Sequence, residues 1–230
     1  MHSQRGTLRA ALAIALCAAL VAAAPDQAQT AALAPVIGLW RESTDGTKEL
    51  TIDGATWSGQ TSREEAERAS RSLFGRSADD TFLKNATSAS AFPLAVASSV
   101  PTLTNGTLRV QFKLIAGPTD QSAGIVFGLQ PSGAYYFLRY NTKDGNLAIW
   151  SYANGERQAI VKGDGLHQIP LGTWQELVVV IRDREVSGAV VGIPVLSMRH
   201  ELPAAIAGRV GVWAKRDVVT TFRRFSVSPE

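Results

Sequence analysis

From Asn105 to the C-terminus the chain alternates. Leu108, Val110, Phe112 and Leu114 fall on one side of an extended backbone, and Thr107, Arg109, Gln111 and Lys113 on the other. Successive side chains of a strand point to opposite faces, so this period of two marks a strand with one face buried and one solvated. Further strand segments follow at Ala123 to Gln130, Tyr135 to Asn141, Leu147 to Tyr152, Arg157 to Val161, His167 to Ile169, Trp174 to Arg182, Val190 to Met198, Gly208 to Ala214 and Val219 to Val227. Turn signals separate several of them, at Pro131-Ser132-Gly133, Asp144-Gly145, Asn154-Gly155 and Asp164-Gly165. Short strands recurring every ten or so residues, with glycine in the turns, specify an antiparallel sandwich or barrel. No alternation of helix with strand supports a parallel sheet.

Ahead of this region, Leu50-Thr51-Ile52 and Ala55-Thr56-Trp57 flank Asp53-Gly54, a dipeptide suited to a hairpin turn. Trp40 and Trp57 are expected to pack that N-terminal hairpin. Ser62 with Glu65 three residues on fits a capping box, and Gly75 fits a helix end. The sequence therefore predicts one short surface helix near 63–73, polar on most sides, with Glu64, Glu65 and Glu67 on its solvated face.

The N-terminus has the layout of a secretion leader. Arg5 and Arg9 give the positive end, Leu8 to Val21 the apolar run, and Ala22 to Ala24 the small residues. The run is shorter than the roughly 20 residues a membrane span needs, so no membrane insertion is expected after cleavage. We expect a signal peptide over 1–24, a flexible Ala-rich tether over 25–35 and a single domain over 36–230, located outside the cytoplasm, secreted or periplasmic. The single cysteine, Cys17, lies inside the leader, with Leu16 where a lipoprotein signal has a small residue. The processed chain then has no thiol, and its stability rests on packing. Without the leader it carries 21 basic and 20 acidic residues, and this near-neutral balance gives no reason to expect a nucleic acid partner.

The run from Gly106 to Val227 resembles the laminin-G-like, concanavalin A-like lectin and glucanase jelly rolls. More narrowly it resembles a secreted bacterial group described as glycoside-hydrolase-16-like or keto-disaccharide-hydrolase-like domains of unknown function. Four segments carry the resemblance: Gly117 to Ile125 (GPTDQSAGI), Tyr135 to Asn141 (YYFLRYN), Gly172-Thr173-Trp174, and Gly208 to Asp217 (GRVGVWAKRD). It implies a two-sheet antiparallel jelly roll. The chain departs from the group at Val218, where a serine is expected. It departs again at Arg223 and Arg224, which stand between Phe222 and Phe225 in place of acidic residues. An acidic metal site is not expected there.

Catalytic patterns are missing. The chain has no Glu-x-Asp-x-x-Glu run of the kind that places two carboxyls on one glucanase strand, and no Gly-x-Ser-x-Gly elbow. His167 and His200 have no ligand partners at useful spacing. What the strand Tyr135 to Asn141 does offer is one face bearing Tyr135, Phe137, Arg139 and Asn141. Asp120 and Gln121 precede a neighbouring strand, and Lys215 and Asp217 follow another. Arginine and asparagine supply fixed donors, carboxylate and amide supply acceptors, and Tyr135, Trp150 or Trp213 can stack on a sugar ring. These nine residues are the candidate ligand-binding set, with an internal Arg139–Asp217 ion pair as the structural alternative. No cofactor is expected; calcium at Asp120 is the alternative, and against it the ion takes six to eight oxygens while the sequence sets only this one acid nearby. Trp174 is expected at a core or corner position.

The function expected from these features is a secreted, non-catalytic binding module for carbohydrate or another extracellular polymer. The alternatives are a glycan hydrolase of the keto-disaccharide-hydrolase-like type, using an acid such as Asp120 or Asp217, and an envelope scaffold without a small ligand.

Overall fold

The computed structural model describes residues 28–57 and 59–230. The expected leader lies outside the described residues. Strands run β1 (Gln29–Thr30), β2 (Leu33–Ile37), β3 (Trp40–Glu42), β4 (Leu50–Asp53), β5 (Leu94–Ala97), β6 (Gly106–Ala116), β7 (Ser122–Leu129) and β8 (Tyr135–Asn141). They continue as β9 (Asn146–Ala153), β10 (Glu156–Lys162), β11 (Trp174–Arg182), β12 (Glu185–Val190), β13 (Ser197–Glu201), β14 (Arg209–Trp213) and β15 (Val219–Pro229). Two helices, α1 (Arg63–Phe74) and α2 (Asp80–Ala86), fall between β4 and β5.

All pairings are antiparallel and form two sheets. One has the order β13-β12-β11-β6-β15-β4-β3, with β1 also on β15; the other has the order β10-β9-β8-β7-β14-β5-β2. Hairpin runs stay within one sheet, as in β7 to β10 and β11 to β13, while the chain crosses between sheets at β4–β5, β5–β6, β6–β7, β10–β11, β13–β14 and β14–β15, as in a jelly-roll sandwich. The inner faces meet in one core, where Leu108, Val110, Phe112 and Leu114 of β6 pack with Ile125, Phe127, Leu138, Tyr140 and Ile149. On β11, Leu177, Val179 and Ile181 point into this core, while Val178 and Val180 pack outside with Ala189 of β12. That second use explains why β11 reads as continuously apolar.

A second apolar cluster lies on the outer face of the second sheet. Ala66, Ala69 and Leu73 of α1 and Phe82, Leu83 and Ala86 of α2 pack on Phe137, Tyr152, Trp213 and Val96. The capping box of α1 forms as expected, with Glu65 N donating to Ser62 Oγ (3.2 Å) and Ser62 N to Glu65 Oε2 (2.7 Å). Gly75 closes the helix in the left-handed region (φ 65°). The helix is more than a surface insertion, however, because its small apolar stripe at three- and four-residue spacing seals part of a sheet. Helix α2 was not foreseen: with seven residues it is too short to show a period, though Asp79 caps it by accepting from Phe82 N (2.8 Å).

The N-terminal segment differs from the sequence reading in two ways. Residues 29–35, expected within a tether, supply β1 and most of β2, which pair with β15 and β5. The N-terminal hairpin is β3–β4, with Trp40 opposite Ile52, and Asp53-Gly54 leads into a turn instead of a further strand. Trp40 stays with this hairpin, against Phe222 at 6.1 Å, whereas Trp57 packs on the outer cluster.

Candidate functional site

Strand β8 carries the expected face. Tyr135, Phe137, Arg139 and Asn141 all point to the outer side of the second sheet, and pairing register sets what lies beside them. Arg139 stands between Gly124 of β7 and Ala148 of β9, with Trp213 of β14 next to Gly124. Glycine is required at 124, because a Cβ there would sit 2.7 Å from the Leu138 carbonyl and 3.2 Å from Trp213 Cε3. The Trp213 indole therefore lies flat across the sheet, stacked on Phe137 at 4.3 Å and 19°.

This geometry sorts the expected aromatics. Trp213 is fully buried and Tyr135 is 4% exposed; both are held in the helix-covered cluster. Burial pushes the Tyr135 phenol well above its ordinary pKa, Tyr152 adds to that, and the Trp213 side chain opposes it. Neither ring offers a free face to a ligand. Trp150 differs. It is half-buried, packs nearly parallel to Phe137 (6.3 Å, 12°), and has two guanidiniums against it, Arg157 at 4.7 Å and Arg139 at 5.8 Å. Its buried indole nitrogen has no hydrogen-bond partner among the described residues.

The polar residues close into a network. Arg139, 3% exposed, donates to Asp144 Oδ2 (2.8 Å) and to Asn146 Oδ1 (3.3 Å), and its Nε has no partner among the described residues. Asn141 Nδ2 donates to Asp120 Oδ1 (2.7 Å) and to Asp144 Oδ2 (3.3 Å). Lys215 pairs with the other oxygen of Asp120. Gln121 is tied to Asn141 through its backbone N–H (3.4 Å) and to the Gly117 carbonyl through Nε2 (3.2 Å). The Arg139–Asp217 ion pair weighed above does not form, since Arg139 has Asp144. Instead Asp217 accepts backbone N–H bonds from Thr119 and Asp120.

Sequence reasoning thus brought Asp120, Gln121, Arg139, Asn141, Trp150 and Lys215 together, with Asp217 one loop away. It missed Asp144, Asn146, Arg157 and Arg216. Asp144 was assigned to a turn, and its role follows from Arg139 reaching over it. Arg157 joins because the β10 strand brings it beside Tyr152, from where its side chain crosses Phe92 and Trp150. Among the described residues no three His, Cys, Asp or Glu side chains group as a metal site. Trp174 sits at the start of β11, outside this patch, between Lys113 (4.6 Å) and Arg223 (3.8 Å).

Concavities lie away from this patch: about 630 Å³ beside Glu42, Lys48, Glu49, Phe222 and Arg223, and about 400 Å³ beside Gln130, Tyr136, Ser151 and Ala207.

No family model matches the chain, and no curated protein does. Solved structures do. Carbohydrate-binding module CBM66 from Bacillus subtilis aligns over 86% of this chain and 95% of its own, with TM-score 0.58 and 12% identity.

The shared property is the fold.

A Bacillus subtilis protein of unknown function with a galectin-like fold aligns over 89% of this chain and 96% of its own (TM-score 0.51, 11% identity). A glycosyl hydrolase, described as putative, from Parabacteroides distasonis covers 88% of each chain (TM-score 0.50, 11% identity). At these identities the likeness shows the fold alone, a two-sheet antiparallel jelly roll, and the chain's activity has to be argued from its own side chains.

Proposed function

We propose that this chain is a non-catalytic carbohydrate-binding module, acting outside the cytoplasm, that holds a glycan on the open part of its second sheet. The observation that carries this reading is Trp150, a half-buried aromatic beside the solvent-reachable polar groups of Asp144, Asn146 and Asp120, which the buried Arg139 and Asn141 hold in place from beneath. Sugars are recognised by an apolar surface against their CH face and by planar polar side chains at their hydroxyls. The residues here are already oriented by one another, which lowers the ordering cost of binding. The similarity in fold to a carbohydrate-binding module supports the same reading.

The hydrolase alternative needs a carboxyl free to act as acid or nucleophile. Asp120 is engaged by Asn141 and Lys215, Asp144 by Arg139 and Asn141, and Asp217 by two backbone amides. That favours binding over turnover.

Thermal unfolding against a panel of oligosaccharides, with and without calcium, tests the proposal. A ligand of the folded state at about 100 times its Kd adds about 2.7 kcal/mol, a shift of several degrees. The expected result is a shift with at least one sugar, lost in Asn146→Ala and Trp150→Ala, with no product released. No shift across the panel would overturn it.

A further inference from the structure

Two guanidiniums of the patch lack a counter-charge. Lys215 is matched by Asp120 and Arg139 by Asp144. Arg157 and Arg216 have no ion-pair partner among the described residues. Arg216 donates to the Ala89 carbonyl, and Arg157 donates to no protein acceptor among the described residues. Arg157 is nevertheless held in place. Its guanidinium lies over Trp150 at 4.7 Å and over Phe92 at 5.5 Å. A guanidinium stacked on a ring keeps its in-plane N–H groups pointing outward, as a fork for an oxyanion.

Charges of both signs surround Arg157. Desolvation lowers its pKa first; Asp120 then raises it, Arg139 and Arg216 lower it, and Asp144 raises it again. Beside it, the buried Arg139 Nε and the Trp150 indole nitrogen are both left without a partner. Buried donors are costly to leave unpaired. Arg157 is thus the exposed donor of the site that awaits an acceptor, and Arg216 is the second charge without an ion-pair partner among the described residues.

On the reading of this patch as a glycan site, we infer that its ligand is an anionic sugar, a uronate or a sulfated residue, whose acid group is taken by Arg157. The charged oxygens accept from the Arg157 fork. The sugar ring lies against the Trp150 side of the patch, and its hydroxyls meet Asn146 and Asp144. A carboxylate satisfies a planar fork with two parallel bonds; a sulfate offers a third oxygen to further donors.

Calorimetric titration with tri-galacturonate, its methyl ester, a neutral galactan trisaccharide and a sulfated carrageenan disaccharide tests this. Tri-galacturonate is expected to bind, and methyl esterification or Arg157→Gln is expected to weaken it about tenfold or more. Binding of the sulfated sugar alone, equally sensitive to Arg157→Gln, also supports an anionic ligand and assigns the sulfate. Arg184→Gln, on the opposite sheet, is the control for overall charge and is expected to change nothing. An equal loss in Arg184→Gln would overturn the inference. So would binding of the ester or the galactan as tight as the acid and indifferent to Arg157→Gln; that result would leave the carbohydrate-binding reading standing. If no sugar of any kind binds, both fall.

Discussion

Asp217 Oδ2 accepts the backbone N–H groups of both Thr119 (2.9 Å) and Asp120 (3.1 Å), so one carboxylate from the β14–β15 loop fixes the β6–β7 loop. Burial alone would raise the Asp217 pKa, but the amides of Asp120 and Thr119 outweigh it and hold the group below its ordinary 3.8. A carboxyl whose folded pKa is depressed contributes stability that is fully present above the unfolded value. That stability is lost as pH falls through the folded value. Asp217→Asn should therefore cost about 0.5–1 kcal/mol at neutral pH after solvent screening. The difference from the parent should vanish in strong acid. Urea unfolding as a function of pH measures it; a gap independent of pH would show that the charge plays no part.

Gly124→Ala tests the Trp213 placement. The added methyl meets the Leu138 carbonyl and the Trp213 ring at distances real side chains avoid. Overpacking of this kind costs about 1–3 kcal/mol. A lowered melting temperature is expected, together with a change in near-ultraviolet circular dichroism as Trp213 leaves Phe137. An unchanged spectrum would mean the stack tolerates the methyl.

Asn85 is 2% exposed and ties α2 to two turns. Its Oδ1 accepts from Gly155 N (2.7 Å), its Nδ2 donates to the Ser132 carbonyl (2.8 Å), and its backbone carbonyl accepts from Tyr152 Oη (2.8 Å). Asn85→Ala removes both side-chain bonds and leaves their partners buried, which should cost about 2–4 kcal/mol. Asn85→Asp should cost a similar amount, because a carboxylate cannot donate to Ser132. Chemical denaturation decides this, and a loss below about 0.5 kcal/mol would show that water replaces the amide.

Ser62→Ala removes the α1 cap and should cost about 1 kcal/mol. Because α1 covers the outer cluster, amide exchange should quicken in α1 and at the outer face of the second sheet before it does in β6 and β11. Uniform acceleration across all strands would contradict that order.

Much of the fold was legible because strands announce themselves by period and turns by residue type. β6 could be read to within two residues, since strict alternation behind a glycine turn places every apolar side chain on one face only if the backbone is extended. Helix α1 was legible from its cap and its closing glycine. β1 and β2 were not, because a short Ala-rich segment has no alternation and is extended only by pairing with β15 and β5. The candidate site was half legible. The alternation of β8 placed Arg139 and Asn141 on one face, and the chain order put Asp120 and Lys215 near strand ends. Period two does not say which face a helix will cover, so Tyr135 and Trp213 were counted with the open residues although α1 and α2 seal their cluster.

By itself the sequence determined the all-β class, the turns, the α1 cap and the lack of cysteine beyond residue 17, since each follows from local backbone preference or residue type. Only the tertiary structure decided which side chains meet. It matched Lys215 with Asp120 across 95 residues and gave Arg139 to Asp144 instead of Asp217. It laid Arg157 over Trp150. Those choices depend on strand order and register between distant segments, and on what packs above the sheet. They are set by the summed burial of two cores, which no single stretch of chain encodes.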